Sequence, residues 1–498
     1  MQQLPFFFCF GNFSPLGQVS FTVEWRDYIL GLDAIGVPVR IVDLFTLSNL
    51  IEVSGPLAIA YAARKFAVKA GAIDRLAQLN RPDMRVLSFH LSRWLESRGS
   101  TNRHYSRELE TFLPQPLALK IESGIADGLR LAFERLRAKS TTTGGTNEKD
   151  LRDVSAIMKR TGQLDGVRRA TAIVDYIDFQ SWGGPVLKRA FEHQIRDAIG
   201  ATEIRWIVRA MSETDAVPPS ELRALGHFDE VWVPSEFHRS VFEKATIQIR
   251  VVPMALDTRR YRPDAAPKKS RCTFLVVSNH LLPSKVQPQY NEVRKATDLT
   301  LRAFCQEFAA DEAVSLLLKV SDPDETRKRL RTFLEQIDER PKRLDQITIV
   351  GQLGQNELAR LYRASTALIN VTRGEGWGRP MMEAMACGTA AIGTRFGGNL
   401  AFMSDETSYL VDCKLVKVSR DLPAYHAYGR WAEPSLPHLR KVLRQIFEDI
   451  EGARRKGKRA SREILKRYSR PTVARDILYS VSEPLRKPTL TNRKASKP

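Results

Sequence analysis

The 498-residue sequence predicts an α/β protein with two doubly wound domains. Strand-like and helical segments alternate at the start of the chain, again from residue 171, and again from residue 273. A chain of this length exceeds one ordinary hydrophobic core, so two large domains or more are expected. The composition, with 43% apolar, 8% aromatic and 27% charged residues, is typical of a globular protein.

The first half begins with short apolar runs of buried-strand type. We predict, in order, a strand over 5–10, a helix over 19–32, strands over 37–43 and 172–176, a helix over 185–199 and a strand over 205–209. The first loop contains Gly11 and Gly17 but lacks both a Lys-Ser/Thr pair and the dinucleotide glycine spacing. Neither a Walker phosphate loop nor a dinucleotide fingerprint is therefore predicted there.

An Arg-rich insertion with helical segments, over about 55–170, interrupts this alternation. A polar low-complexity break inside it, KSTTTGGTNEKD, predicts a mobile loop. The arginines are explained either by an anionic partner or by ordinary solvated helix surfaces.

The second half repeats the α/β pattern after a basic, proline-bearing linker. The predicted elements are strands over 273–278, 314–320, 347–350, 366–372 and 408–411, and helices over 435–450 and 452–468. Asn356 is predicted to cap a further helix with one apolar face. The string Asp322-Pro323-Asp324 has the D-x-D form of some metal sites, but its place just beyond a strand favours a solvated loop.

Residues 371–398, VTRGEGWGRPMMEAMACGTAAIGTRFGG, place a glycine-rich loop between a buried strand and a helix. Three glycines in five positions let the backbone approach a ligand closely, and Pro380 stands where the first helical residue is expected. Gly388 stands where a left-handed C-terminal cap is expected. The unpaired N–H groups of such a helix start can hold a phosphate without a metal ion.

Two carboxylates accompany this loop, because Glu375 lies within it and Glu383 on the first predicted turn of the helix. Such a pair can accept hydrogen bonds from vicinal hydroxyls, one set on a ribose and another on a hexose. The alternative is a solvated loop acid plus a glutamate that favours the helix dipole. The glycine setting favours the sugar-nucleotide interpretation.

This segment resembles the nucleotide-sugar site of retaining glycosyltransferases with the GT-B fold, whose signature is E-x7-E beside GEGWG-P--EAMA-G. The resemblance implies two Rossmann-like doubly wound domains that face a cleft. It implies that Glu375 contacts the donor hexose as the catalytic residue and that Glu383 binds the ribose of the donor. Backbone contacts to the sugar and diphosphate are implied for Gly376, Trp377 and Gly378.

Arg294 and Lys295 belong to a string, Arg-Lys-Ala-Thr-Asp, that resembles the family's Arg-Lys-Gly-x-Asp at a helix start. These cations suit a diphosphate, because arginine binds phosphate oxygens in a bidentate fork and lysine supplies a point charge. Ala296 replaces the usual glycine. The family has an arginine that binds the phosphate of the donor. Because a longer insertion precedes this string, either Arg294 or Lys285 is its counterpart, so Lys295 is favoured over Arg294 as a phosphate contact. On its own, Arg-Lys would be an ordinary solvated pair.

Five further residues are predicted near the donor on weaker signals. The early glycine loop of the family implies contacts from Gly17 and Gln18, although a simple tight turn is equally open. Glu213 lies before the family-like string VWVPS, near the expected cleft, or else it caps a turn. Lys319 ends a predicted strand, and His90 is the best candidate for the family's first-domain histidine, with a satisfied or surface histidine as the alternative.

The resemblance implies a hexosyltransferase that moves a hexose from a UDP- or GDP-sugar to a saccharide or lipid-linked saccharide, in cell-surface polysaccharide or glycolipid synthesis. Retention of the anomeric configuration, by front-face attack without a protein nucleophile, also comes from the resemblance. No metal or other cofactor is expected. The alternatives are a sugar-nucleotide epimerase or hydrolase of the same fold, and a basic nucleic-acid-binding protein that lacks catalysis.

Four segments are predicted along the chain. They are an acceptor-side domain over 1–262, a nucleotide-sugar-binding domain over 272–465, a crossover helix over 466–485 that packs back on the first domain, and a disordered basic tail over 486–498.

The formal charge of +20 and the pI near 9.8 predict an anionic partner. An anionic membrane surface fits better than nucleic acid, because no helix-turn-helix, zinc-finger or RNP pattern is present and lipid-linked acceptors carry phosphates. The five cysteines lack C-x-x-C spacing, which argues against disulfides and a zinc site. We therefore expect a cytoplasmic protein at the inner face of the membrane, with no apolar run long enough to span it.

Overall fold

A computed structural model gives the architecture and describes residues 6–11, 20–37, 39–43, 169–175, 203–264, 271–278, 293–337, 345–418 and 428–482. A first parallel sheet contains six strands, β1 to β6, over Phe6–Gly11, Val39–Asp43, Arg169–Asp175, Glu203–Arg209, Glu230–Val233 and Gln248–Val251. Their order across the sheet is β2-β1-β3-β4-β5-β6. This order reverses direction at β1 and β3, as in doubly wound folds.

A second parallel sheet contains strands β7 to β12, over Cys272–Val277, Val314–Lys319, Ile347–Val350, Ala367–Asn370, Ala390–Thr394 and Tyr409–Val411. Their order is β12-β11-β10-β7-β8-β9. Two further strands, β13 over Cys413–Lys417 and β14 over Arg430–Pro434, form an antiparallel hairpin. The two parallel sheets confirm the predicted α/β class.

Ten α-helices lie within the described residues. They are α1 to α10, over Ser20–Ala34, Pro219–Leu225, Glu236–Val241, Thr297–Glu307, Pro323–Gln336, Gln355–Ala364, Arg379–Ala386, Leu436–Glu448, Ile450–Arg467 and Arg470–Ser482. A short 3₁₀ helix spans Gly398–Ala401.

The second sheet is covered by helices on both faces. Alternate residues of β10 point into different cores: Ala367 and Ile369 lie in the core formed with α4 and α8, whereas Leu368 lies in the core formed with α7 and α9. Because side chains alternate across a strand, a continuous apolar run such as Ala-Leu-Ile requires apolar layers on both sides. The carboxyl ends of these strands are thereby fixed beneath the glycine-rich loop.

The last helix packs on the first half. Val473 and Ile477 of α10 share a buried core with Tyr28 and Ile29 of α1. Just before α10, the Tyr468 carbonyl accepts a hydrogen bond of 2.8 Å from the Leu256 N–H. The two segments that run between the halves, after β6 and before α10, therefore lie side by side.

The hairpin of β13 and β14 joins the halves at a second place. Arg430 donates to the Asp215 carboxylate at 2.8 Å, and its carbonyl accepts from the Asp215 N–H at 3.0 Å. On the other side, Arg373 makes a bidentate contact with Glu433 of β14. The sequence analysis predicts no element between residues 411 and 435 and gives no sign of this hairpin.

Most predicted strands lie within three residues of those observed, and Ile347–Val350 matches at both ends. Three predicted details were wrong: the residue that caps α6, and the positions of Pro380 and Glu383 within α7. Helix α6 is capped by Gly354, whose N–H is bound by Glu357, and not by Asn356. Helix α7 begins at Arg379, so Pro380 is its second residue and Glu383 its fifth, beyond the first turn. The predicted helix over 185–199 and nearly all of the insertion over 55–170 lie outside the described residues.

Gly457 lies where α9 packs against the turn before β11. A methyl group added to its Cα would lie 2.5 Å from the Gly388 carbonyl oxygen and 3.0 Å from the Ala390 nitrogen. Backbone atoms cannot move aside cheaply, so Gly457→Ala is expected to lower the free energy of unfolding by about 1–3 kcal/mol. At a solvent-exposed position inside a helix, the same change raises the free energy of unfolding by about 1 kcal/mol.

Chemical denaturation checks this expectation, with Lys458→Ala on the exposed face of the same helix as the control. A midpoint for Gly457→Ala equal to or above that of the control would contradict the close packing.

Candidate functional site

The glycine-rich loop leaves β10 and enters α7 at the carboxyl edge of the second sheet. Gly378 caps α7 with φ of 96°, a conformation that favours glycine. Gly374 packs on the first half, because a Cβ at this position would lie 2.3 Å from the Glu213 carbonyl oxygen. The loop is therefore held between the second sheet and the segment that follows β4.

Glu375 is a buried, paired carboxylate, with 9% of its surface exposed. It accepts from the Lys295 ammonium at 2.7 Å and from Asn370 at 3.4 Å, and Arg294 lies 4.0 Å away. Burial raises its pKa, but the nearby Lys295 and Arg294 charges outweigh burial, so the pKa is lowered. Glu375 is therefore ionised at neutral pH.

Arg294 and Lys295 lie directly beside the glycine-rich loop. Arg294 donates to the Gly374 carbonyl at 2.6 Å and faces the Glu213 carboxylate at 3.7 Å. Burial lowers the pKa of Lys295, while the Glu375 charge opposes this shift. The structure thus brings together four residues predicted for the site, from both halves of the chain.

Ala296, which replaces the family's glycine, caps α4 with φ of 47°. Within the described ranges it is the one non-glycine residue with positive φ. An alanine in this left-handed region costs about 1–2 kcal/mol. The conformation that glycine would supply is kept, and the methyl group is buried in the core.

Glu383, the fifth residue of α7, is 7% exposed. It accepts a hydrogen bond from the Tyr362 hydroxyl at 3.0 Å, and Arg379 lies 3.5 Å from its other oxygen. Burial raises the pKa of this carboxyl. A buried glutamate with these partners is unlike a solvated residue that only favours the helix dipole.

Arg379 connects this side of the site to the first half. Its guanidinium donates to Asp27 of α1 at 2.9 Å and to the Ala255 carbonyl at 3.3 Å. Asp27 also accepts from Arg470 at 2.8 Å. The sequence analysis missed this group, because its members come from three distant segments and match no motif.

The remaining predicted residues are placed as follows. The Trp377 side chain is buried against Phe402 and Tyr468, and its indole N–H donates to the Met382 sulfur. Only the backbone of Trp377 is left to contact a ligand at the loop. Lys319 ends β8, where its ammonium donates to Gln352 at 3.2 Å and burial lowers its pKa. Gly376 lies against Met211 of the first half. Gly17, Gln18 and His90 lie outside the described residues, as does Lys285.

Asp322 has a structural role in the D-x-D string, because its side chain caps α5 and accepts from the Asp324 and Glu325 N–H groups. Within the ranges that the structure describes, no group of His, Cys, Asp and Glu side chains is arranged to hold a metal ion. Among the helices of the same ranges, none is long and apolar enough to cross a bilayer.

His238 is a site residue that the sequence analysis missed. The imidazole is completely buried, with Nδ1 2.7 Å from the Ser235 hydroxyl and Nε2 2.9 Å from the Ser212 carbonyl oxygen. Because a carbonyl only accepts, Nε2 carries the proton and Nδ1 accepts from Ser235. His238 therefore fixes the segment whose next residue, Glu213, contacts the glycine-rich loop. A Ser-x-x-His spacing at a helix start was the available signal.

The two facing parallel sheets and the returning last helix define the GT-B fold. Two solved structures support this over almost the whole chain. A sucrose-phosphate synthase from Thermosynechococcus elongatus is 16% identical, with a TM-score of 0.50 and coverage of 96% of this chain and 98% of that one. A glycosyltransferase from Rickettsia africae is 11% identical, with a TM-score of 0.52 and coverage of 97% and 99%.

Residues 289–418 match the family model of the Glycosyl transferases group 1. This segment contains the glycine-rich loop and the Arg294–Lys295 pair, and its match confirms the resemblance predicted from the sequence.

Two curated proteins named D-inositol 3-phosphate glycosyltransferase are similar to parts of the chain. The one from Rhodococcus opacus is 32% identical over 177 residues, which are 33% of this chain and 37% of the relative. The one from Acidothermus cellulolyticus is 26% identical over 248 residues, or 46% and 52%. The chain thus spans about half, or less, of the length of these relatives.

Burial lowers the pKa of His238 to about 4, below its ordinary value of 6.5. As the pH falls from 6.5 to 4, the unfolded chain binds a proton that the folded chain does not, so stability is lost in this range. Wild type is expected to lose about 2 kcal/mol more than His238→Gln between pH 7.5 and pH 5.

Urea denaturation at both pH values measures this difference. Burial raises the pKa of Glu221 to about 7, which acts in the opposite direction but is common to both proteins. Parallel pH profiles for the two proteins would show that the imidazole is not held in its neutral form.

Proposed function

We propose that the chain is a retaining glycosyltransferase that moves a hexose from a UDP- or GDP-sugar to a saccharide or lipid-linked saccharide. The observation that carries this proposal is the 2.7 Å pair of Lys295 and Glu375 beside the glycine-rich loop. It lies within the segment that matches the group 1 family model. A second carboxylate, Glu383 of α7, is proposed to bind the ribose.

In this proposal the leaving diphosphate takes the place of Glu375 as the partner of Lys295. A diphosphate carries more negative charge than a carboxylate, so it competes for the ammonium. Arg294 and the N–H groups around Gly376 and Gly378 add to the stabilisation of the leaving group. Glu375, once released, accepts a hydrogen bond from a hydroxyl of the hexose and orients the sugar.

Glu375 is not proposed as a nucleophile. It is ionised and lies beside cations, so its charge is suited to stabilising positive charge that develops on the sugar ring. The acceptor hydroxyl then attacks from the face that the diphosphate leaves and passes its proton to the departing phosphate oxygen, and the configuration is retained.

The acceptor side is proposed to work at an anionic membrane surface inside the cell. The formal charge of +20 supports this, because cationic surfaces are attracted to anionic leaflets. The expected product is a cell-surface polysaccharide or glycolipid.

Three variants test the site. Glu383→Ala and Lys295→Ala are expected to weaken nucleotide-sugar binding about 10- to 100-fold, since each removes a hydrogen bond to a charged group. Glu375→Gln keeps the size of the side chain, so it is expected mainly to lower kcat. Calorimetry and turnover assays with UDP- and GDP-sugars measure both effects, with the exposed Lys458→Ala as the control. Unchanged binding and turnover in all three variants would refute the site.

The proposed leaving-group stabilisation needs no divalent ion, because Lys295, Arg294 and backbone N–H groups supply the positive charge. Transfer activity is therefore expected to persist in excess EDTA. A loss of activity that magnesium restores would show that a metal ion carries part of this role.

A further inference from the structure

We infer that Arg379 is a positioning residue that, held by Asp27 of the first half, fixes the Glu383 carboxylate to receive the two ribose hydroxyls of a nucleoside diphosphate. This inference rests on the proposed function and adds a residue to it. Its basis is a buried group of charges that links α7, α1 and α10.

Arg379 is the first residue of α7 and is 6% exposed. Its Nη2 donates to Asp27 at 2.9 Å, and its Nε faces Glu383 at 3.5 Å. Because the guanidinium is rigid and planar, the contact at one nitrogen sets the direction of the other. The position of α1 therefore determines how Arg379 approaches Glu383.

The Asp27 carboxylate is held in place and cannot move with Arg379 toward Glu383. It is 1% exposed and is held on its other oxygen by Arg470, at 2.8 Å. Arg379 therefore stays at 3.5 Å from Glu383, longer than a strong ion-pair hydrogen bond of about 2.7–2.9 Å. The carboxylate keeps acceptor capacity, since it has about four lone-pair sites and Tyr362 occupies one.

The Arg379 charge also opposes the effect of burial on Glu383. Burial favours the protonated carboxyl, whereas Arg379 and the Tyr362 hydroxyl favour the carboxylate. Arg260 acts in the same direction, and Asp27 against it. Burial lowers the pKa of Lys319 at the end of β8, and the Glu383 charge opposes this shift. The ionised form accepts hydrogen bonds at both of its oxygens, whereas the protonated form donates from one of them.

The test compares UDP with 2′,3′-dideoxy-UDP, and GDP with its dideoxy analogue, by calorimetry on the full chain. Wild type is expected to prefer the diol of its own nucleotide about 10- to 100-fold. In Arg379→Met, Asp27 keeps Arg470, and the preference is expected to fall to about threefold or less, while dideoxy binding changes little. Arg379→Lys, which retains the charge, is expected to recover part of the preference.

Arg444→Met is the matched control. This arginine of α8 also pairs with two carboxylates, Glu307 at the end of α4 and Glu312 in the turn that follows it. It is expected to lower thermal stability without changing the diol preference, which separates loss of an ion pair from loss of positioning.

An unchanged diol preference in folded Arg379→Met would overturn the inference and leave the proposed function intact. If wild type binds neither UDP nor GDP, the proposed function itself fails. Should Arg379→Met not fold, Asp27→Asn tests the same link, because Arg379 is then free to close on Glu383. A reduced diol preference in Asp27→Asn supports the inference, and an unchanged one overturns it.

Discussion

The contact between Arg379 and Asp27 is the interaction on which the arrangement of the two halves depends. Two buried ions that lose their partner cost several kcal/mol each, so neither is tolerated alone in this interior. Asp27 belongs to the first helix, Arg379 to the helix of the glycine-rich loop, and Arg470 to the returning helix. Burial of all three charges therefore requires all three helices to be in place, which makes the group a source of structural specificity more than of net stability.

The second constraint is the close approach of backbones around the glycine-rich loop. Gly374 lies against the Glu213 carbonyl, and Gly398 donates to the Glu375 carbonyl at 2.8 Å. Larger residues would force these segments apart. In the first half, His238 holds the segment that contains Glu213 by donating to the Ser212 carbonyl. The glycine-rich loop is thus held by main-chain contacts, and the charged side chains beside it are placed on that frame.

The α/β class, the GT-B resemblance and most strands could be predicted, because each rests on local patterns: apolar runs, glycines and a short motif. Glu375 and Lys295 could be placed together only through the resemblance, since 80 residues separate them. Arg379 and Asp27 are 352 residues apart, and no periodicity links such a pair. The contact of the β13–β14 hairpin with Asp215 also spans 215 residues, so no local pattern indicates it.

The side-by-side course of the chain at Leu256 and Tyr468 has a mechanical consequence. The main chain passes between the halves at these two neighbouring points, and a hydrogen bond of 2.8 Å ties them together. The covalent connections between the two halves therefore lie at one place, and a rotation of one half about that place would strain neither connection.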